Sequence, residues 1–185
     1  MKIAIIGFSG SGKSTLAQAL AKKFNIPVLH FDQVQFLPGW KERTGPEKLA
    51  MTREFLDRNA DWVIDGNYTN LLYERRMAEA DQIVLLAFNR VNCLFRLWRR
   101  YRRYRGRTRE DMAPGCPEKL DAEFLRWVLW DSRTGKRIRS YRDVRNRYPE
   151  KLVILHNQRE LDRYARSLGL QKKGSPSRQE RASFL

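Results

Sequence analysis

The sequence predicts an α/β fold with three layers, in which helices cover both faces of a five-stranded parallel sheet. Five short apolar runs are predicted strands, and each is followed by polar or Gly-containing sequence and then by helical periodicity. Because the apolar residues are continuous rather than alternating, we expect both faces of each strand to be buried, as is typical of parallel sheets. The predicted strands are 2–6, 28–31, 62–64, 82–88 and 152–155.

The first strand leads into a glycine-rich loop. Residues 7–14 read Gly-Phe-Ser-Gly-Ser-Gly-Lys-Ser and fit the pattern of a phosphate-binding P-loop. Glycines let successive N–H groups turn inward around an anion, and the helix beginning near Lys13 directs its positive dipole end to the same place. Lys13 is expected to contact the β/γ-phosphates and Ser14 a Mg²⁺ ion. The predicted nucleotide-binding residues here are Gly7, Ser9, Gly10, Ser11, Gly12, Lys13, Ser14 and Thr15. The alternative, a plain turn, is disfavoured by the strand before the loop and the helix after it.

Composition limits the remaining possibilities. A length of 185 residues predicts one domain, residues 1–170, with a basic and disordered tail at 171–185. Two cysteines and two histidines are too few for a typical structural zinc site, and no apolar run approaches the ~18 residues of a membrane span. We therefore expect a soluble, cytoplasmic protein. Its net charge of +16 predicts anionic partners.

Arginine is concentrated in residues 90–109, which contain nine arginines and no acidic residue. Arginine favours planar, bidentate recognition of phosphate. A Gly-interrupted basic segment after the fourth strand suits a lid that closes over a nucleotide, and we place this lid at about residues 99–117. The alternative for any single arginine is a solvated position, since only two or three can reach one phosphate chain.

Two carboxylates follow predicted strands. Ligands of parallel sheets bind outside the carboxyl ends of the strands. Asp65 directly follows the third strand, where a Walker B carboxylate holds Mg²⁺, and Asp32 comes at the end of the second, where it could accept a proton from a substrate hydroxyl. A helix cap or turn is the alternative for each of them. His30 is interpreted as an ordinary buried side chain.

This arrangement resembles the nucleoside and nucleotide kinases of adenylate kinase type over most of residues 1–170. The order is the same: P-loop, Asp32, then Ile-Asp-Gly at 64–66, then an Arg-rich lid. More narrowly, the chain is similar to the bacterial DNA topology modulation proteins. The segments that carry this second resemblance are His-Phe-Asp at 30–32, Pro-Gly-Trp at 38–40, 62–68, Arg-Thr-Arg at 107–109 and Gly-Cys-Pro-Glu at 115–118.

The resemblance implies a sheet of order 2-3-1-4-5, ATP and Mg²⁺ as cofactors, and lid arginines Arg100, Arg107 and Arg109 on the phosphates. It also implies that Asn157, after the last strand, lies near the adenine. Adenylate kinases have Asp-Gly-Phe-Pro-Arg where this chain has Asp-Gly-Asn-Tyr at 65–68, so the arginine that grips the acceptor nucleotide is missing. Arg75 and Arg76 are the candidates to replace it, and AMP is a less favoured acceptor.

Two functions follow from these observations. The first is an ATP- and Mg²⁺-dependent phosphotransferase acting on a small hydroxyl compound, with Lys13, Asp32, Arg100, Arg107 and Arg109 as catalytic residues and Ser14 and Asp65 as metal ligands. The alternative is a nucleic-acid-binding regulator in which residues 90–109 and 133–147 contact the phosphate backbone. Non-specific binding of nucleic acid is compatible with both functions. The sequence leaves monomer and homodimer open.

Overall fold

The computed structural model describes residues 1–170, and the predicted tail at 171–185 lies outside the described residues. The strands are β1 (Lys2–Gly7), β2 (Val28–His30), β3 (Phe36–Leu37), β4 (Lys41–Glu42), β5 (Trp62–Asp65), β6 (Gln82–Leu86) and β7 (Leu152–Leu155). The helices are α1 (Lys13–Phe24), α2 (Phe31–Gln35), α3 (Gly45–Arg58), α4 (Tyr73–Glu79), α5 (Arg90–Tyr104), α6 (Ala122–Leu129), α7 (Gly135–Arg147) and α8 (Gln158–Ser167). Short 3-10 turns occur at Pro38–Trp40, Asp131–Arg133 and Pro149–Lys151.

Five strands form a parallel sheet in the order β2-β5-β1-β6-β7. When these five strands are numbered alone, this is the predicted order 2-3-1-4-5, because β3 and β4 form a separate antiparallel hairpin. The central position of β1 brings the carboxyl ends of β2, β5 and β1 side by side. The P-loop, Asp32 and Asp65 therefore follow neighbouring strand ends.

Alternate residues of the sheet enter two different apolar clusters, which explains why the strand sequences are continuously apolar. In β1, Ile3 and Ile5 face a cluster that includes Leu20 of α1 and Leu97 of α5. Ala4 and Ile6 face the opposite cluster, formed with α2, α3, α4 and α7. The predicted three-layer α/β fold is confirmed.

The predicted lid begins within α5, because this helix continues to Tyr104. The segment after α5 packs on the β3–β4 hairpin, where Gly39 N donates to Gly115 O at 3.0 Å. Met112 and Cys116 form a small apolar cluster with Phe36 and the Trp40 side chain. The lid segment and the hairpin thus cover the same side of the cleft.

Candidate active site

A cleft of about 1420 Å³ opens at the carboxyl ends of β1, β2 and β5. Most of the sequence-predicted site residues line it. They come from the P-loop, from the two strand ends and from the lid: Ser9, Gly10, Gly12, Lys13, Ser14, Thr15, Asp32, Asp65, Arg100 and Arg109. The topology therefore brings together residues that are distant in the sequence.

The backbone of the P-loop requires glycine at its start and end. A Cβ on Gly7 would lie 2.5 Å from the carbonyl oxygen of Leu86 in the adjacent strand, so a larger residue would push β1 and β6 apart. Gly12 has φ +98° and directly precedes α1, which begins at Lys13. The Ser11 hydroxyl is buried and has no hydrogen-bond partner among the described residues. A buried, unpartnered hydroxyl inside a glycine loop at a helix N-terminus fits a phosphate ligand.

Lys13 lies inside the loop that it belongs to. Its Nζ donates to the carbonyl oxygen of Phe8 at 3.1 Å. Burial lowers the pKa of Lys13, although the charges of Asp65 and Asp32 oppose this shift. A half-buried ammonium that lines the cleft and donates to a carbonyl oxygen is well suited to receive an anionic ligand.

Ser14 and Asp65 are joined by a hydrogen bond in which the Ser14 hydroxyl donates to Oδ2 of Asp65 at 2.7 Å. The other carboxylate oxygen of Asp65 lies 2.5 Å from Nδ1 of His30. Burial by itself lowers the pKa of His30, but the hydrogen bond and charge of Asp65 outweigh it and raise the pKa. A serine hydroxyl and a fixed carboxylate side by side are oxygen ligands of the kind that Mg²⁺ takes in P-loop proteins.

Asp32 lies in α2, directly after β2, and accepts a hydrogen bond from the Tyr68 hydroxyl at 2.9 Å. Burial, with a contribution from the charge of Asp65, raises the pKa of Asp32, while Lys13 and the Tyr68 bond oppose the shift. A carboxylate with a raised pKa is a better proton acceptor than an ordinary aspartate.

Arg100 and Arg109 meet on one carboxylate at the side of the cleft. Arg100 donates through Nε at 2.8 Å to Oε1 of Glu118, and Arg109 donates through Nε at 2.6 Å to Oε2. Arg109 also donates through Nη1 to Asp111 at 2.5 Å. Both guanidinium groups line the cleft, as a lid that contacts phosphates requires.

Among solved structures, deoxyadenosine kinase from M. mycoides with bound dATP matches with a TM-score of 0.50 and 13% sequence identity, over 91% of this chain and 100% of that chain. Shikimate kinase from Bacteroides thetaiotaomicron matches with a TM-score of 0.48 and 17% identity, over 92% of this chain and 99% of that chain. The match to the deoxyadenosine kinase shows that the chain shares its fold. Comparison with protein-family models and with curated proteins gives no match, so the resemblance to DNA topology modulation proteins stays a prediction.

Four predicted residues do not line the cleft: Gly7, Ser11, Arg107 and Asn157. Gly7 and Ser11 are buried within the P-loop. Arg107 is exposed, and its carbonyl oxygen accepts the backbone N–H of Glu118 at 3.0 Å. Asn157 caps α8, where its side chain accepts from the backbone N–H of Glu160. The segment around Asn157 nevertheless approaches the P-loop, because Gln158 contacts Arg96, whose Nε donates to Gly10 O at 3.1 Å.

The candidates for the missing acceptor arginine lie outside the cleft as well. Arg75 is ion-paired with Asp57 and Glu79 on the surface of α4. Arg76 is 1% exposed, and its guanidinium donates to the carbonyl oxygens of Leu71 and Tyr68 at 2.9 and 2.6 Å. Burial lowers the pKa of Arg76. The carbonyl oxygens stabilise the buried guanidinium by accepting its hydrogen bonds. Arg76 therefore has a structural position, in which it holds the loop between β5 and α4.

Sequence reasoning missed three residues that support the site. His30 is buried, as interpreted from the sequence, and its Nδ1 also contacts the carboxylate of Asp65. Asn67 binds the first residue of the P-loop twice, accepting from Gly7 N at 2.9 Å and donating to Gly7 O at 2.5 Å. Glu118 joins the two lid arginines. The sequence carries no signal of this role for His30, because its contact with Asp65 depends on β2 and β5 being neighbours in the sheet.

Proposed function

We propose that the protein is an ATP- and Mg²⁺-dependent phosphotransferase that moves the γ-phosphoryl group of ATP to a hydroxyl of a small molecule. The observation that carries the proposal is the position of Lys13, Ser14, Asp65 and Asp32 in one cleft. A phosphate-binding loop, a metal-binding pair and a carboxylate base are the parts that phosphoryl transfer needs. The P-loop kinase fold supports the same reaction class.

In this reaction each residue has a defined part. Lys13 and the loop N–H groups bind the phosphates, and Arg100 and Arg109 stabilise the charge that develops on the transferred group. Asp32 accepts the proton of the acceptor hydroxyl as its oxygen forms a bond to the γ-phosphorus. The bond between that phosphorus and the β–γ bridging oxygen breaks, and ADP leaves with the electron pair.

Mg²⁺ would be held by Ser14 and Asp65. Within residues 1–170, no group of three or more His, Cys, Asp or Glu side chains is arranged to hold a metal, so phosphate oxygens and water would complete its coordination. When bound, Mg²⁺ neutralises part of the phosphate charge. His30 keeps the Asp65 carboxylate in place for this role.

The acceptor is proposed to be a hydroxyl compound rather than AMP. Arg75 and Arg76 are both engaged away from the cleft, so α4 supplies no guanidinium for an acceptor phosphate. Next to Asp32, the Tyr68 hydroxyl and the exposed side chains of Thr69 and Asn70 supply neutral polar groups, beside the charged side chains of Glu42 and Arg137. Neutral donors and acceptors suit a polyol, a sugar or a nucleoside.

The proposal is tested by two measurements on the purified protein and on Lys13→Met. Calorimetry should detect Mg·ATP binding to the parent and a large loss of affinity in the variant, because the variant lacks the charge on the phosphates. Incubation with ATP, Mg²⁺ and a panel of nucleosides, nucleotides and other hydroxyl compounds should release ADP with one class of acceptor. Absence of ATP binding to the parent, or equal binding to Lys13→Met, would refute the proposal.

An exposed face of α5 favours a second and compatible function, the binding of single-stranded nucleic acid. The rings of Phe95 and Trp98 are stacked with centroids 6.1 Å apart, and they are 55% and 45% exposed. With Arg99, Arg102 and Arg103 they line a shallow depression of about 410 Å³. Exposed rings among arginines can stack on bases while the charges follow the phosphates. Residues 90–109, which include α5, contain no acidic residue, and this favours an anionic partner.

This second function predicts that a labelled oligothymidylate binds with an affinity that falls as salt rises, by about 0.7 log units per log unit of salt for each neutralised phosphate. The double variant Phe95→Ala/Trp98→Ala should bind more weakly. Val91→Ala, which removes another exposed apolar side chain from the same helix, is the matched control. Equal binding by the double variant and this control would exclude the Phe95–Trp98 face.

Within residues 1–170, the helices all fall short of the length and apolarity of a membrane span.

A further inference from the structure

Glu118 lies behind the lid arginines and does not itself line the cleft. Its side chain is 3% exposed, whereas those of Arg100 and Arg109 are 26% and 10% exposed. Each carboxylate oxygen takes one guanidinium: Oε1 is 2.6 Å from Nη2 of Arg100, and Oε2 is 2.6 Å from Nε of Arg109. One carboxylate therefore fixes two cations next to each other.

The backbone explains why Glu118 is available for this position. The N–H of Glu118 donates to the carbonyl oxygen of Arg107 at 3.0 Å, and Glu118 forms a parallel bridge with Arg105. These bonds close the base of the lid segment, so its return to α6 passes beside the last turns of α5, where Arg100 lies. Glu118 joins the helical and the non-helical parts of the lid.

The two arginines keep donors free for a ligand. Arg100 uses Nε and Nη2 on Glu118, which leaves Nη1 without an oxygen acceptor among the described residues. Arg109 uses Nε on Glu118 and Nη1 on Asp111, and its Nη2 has only the Met112 sulfur, at 4.0 Å. A guanidinium has five N–H donors, so both groups can bind phosphate oxygens without leaving Glu118.

We propose that Glu118 is a positioning residue that assembles Arg100 and Arg109 into a two-arginine site for the phosphate chain of the nucleotide. The inference rests on the proposed phosphotransferase function. Two guanidinium groups held side by side would repel each other without the shared carboxylate. Burial, with the charge of Arg109, lowers the pKa of Arg100, and Glu118 opposes this shift. With Glu118, the donors face the ligand before it binds, which reduces the cost of ordering two long side chains.

The test compares Glu118→Gln with Glu110→Gln. Glutamine keeps the shape of Glu118 but has no charge and only one accepting oxygen, so it cannot hold both guanidinium groups. Glu110 undergoes the same chemical change in the same lid segment, where its side chain is exposed and makes no ion pair with the described residues. Calorimetry measures the binding of Mg·ATP, ADP and adenosine to each protein, and thermal unfolding without ligand measures stability.

We expect Glu118→Gln to weaken Mg·ATP binding by about tenfold or more, ADP binding by a smaller factor and adenosine binding not at all. The loss should follow the number of phosphates, because only phosphates reach the lid arginines. A purely structural role predicts a lower melting temperature with the same change for all three ligands, and that result would overturn the inference. Glu110→Gln should bind ATP like the parent.

A second variant covers the case in which Glu118→Gln does not fold. Glu118→Asp keeps the charge but withdraws the carboxylate by one methylene, so it can reach only one arginine well, and a smaller loss of ATP affinity is expected. Unchanged ATP affinity in a folded Glu118 variant refutes the positioning role while the phosphotransferase proposal stands. If the parent itself binds no ATP, the phosphotransferase proposal fails and the inference fails with it.

Discussion

Replacing Arg76 by methionine tests whether this arginine supports the fold or grips an acceptor phosphate. Arg76 lies in α4, and its guanidinium is held by carbonyl oxygens of the loop between β5 and α4. It also lies 4.3 Å from the centroid of the Phe31 ring. Methionine has a similar length and fills the same space but donates no hydrogen bond.

The magnitude follows from these contacts. The bonds to Leu71 O and Tyr68 O are 2.9 and 2.6 Å long, and the bond to Gly66 O, at 3.4 Å, is weak. Hydrogen bonds from a charged donor contribute about 1.5–3 kcal/mol each, so the two short bonds give about 3–6 kcal/mol. Methionine recovers part of this loss because it removes the cost of burying a cation. We expect the free energy of unfolding to fall by about 2–4 kcal/mol.

Urea denaturation of the parent, Arg76→Met and Arg75→Met measures this difference. Arg75 is the neighbouring residue on the same helix, and its ion pairs with Asp57 and Glu79 lie at the surface, where such pairs contribute about 0–1 kcal/mol. The midpoint should therefore shift strongly for Arg76→Met and little for Arg75→Met. In thermal unfolding, each kcal/mol corresponds to about 2–4 °C for a chain of this size.

Equal stability of the two methionine variants would refute the structural role of Arg76. If Arg76→Met were as stable as the parent but bound a phosphorylated acceptor more weakly, Arg76 would replace the missing adenylate kinase arginine after all. A change in the slope of the urea transition would mean that the substitution alters the compactness of the native or denatured state, or that unfolding is no longer two-state.

The remaining predictions concern the reaction. Asp32→Asn should lower kcat by about 10²–10⁴ with little change in ATP affinity, because the base is lost and the P-loop is not. In the parent, kcat should fall with decreasing pH as Asp32 is protonated, and because burial raises the pKa of Asp32, this fall should lie above the ~3.9 of an ordinary aspartate. A pH profile without this limb in the parent would contradict the assignment. Asn67→Ala should weaken ATP binding by about 3- to 10-fold, because it removes both hydrogen bonds to Gly7. Asn146→Ala, which removes an exposed amide on α7 away from the cleft, is the control, and equal affinities of the two variants would contradict the role of Asn67.

The sheet could be predicted because its signal is local. Each buried parallel strand is a continuous apolar run that ends at a polar or glycine residue, so the observed strands differ from the predicted ones by at most two residues at an end. The P-loop could be predicted for the same reason, since its residues are adjacent in the chain. Asp32 and Asp65 were predicted from position, because each follows a strand directly.

The contacts between strands and between charges could not be predicted in this way. In the sheet, His30 is the register partner of Asp65, and this pairing exists only because β2 and β5 are neighbours. The nine arginines of residues 90–109 look equivalent in sequence, but Glu118, beyond that segment, determines that Arg100 and Arg109 are brought together. Which charges pair depends on side chains that the fold brings close.

The turn after β5 links the two halves of the proposed reaction. Within four residues, Asp65 binds Ser14, Asn67 binds Gly7, and Tyr68 binds Asp32, so the metal pair, the phosphate loop and the acceptor base share one short segment. Arg76 holds this segment from behind through its carbonyl groups. A substitution that loosens the turn should therefore weaken ATP binding and proton transfer together, whereas changes in the lid should affect the phosphates alone. This difference separates the two kinds of variant in kinetic measurements, even before the acceptor is known.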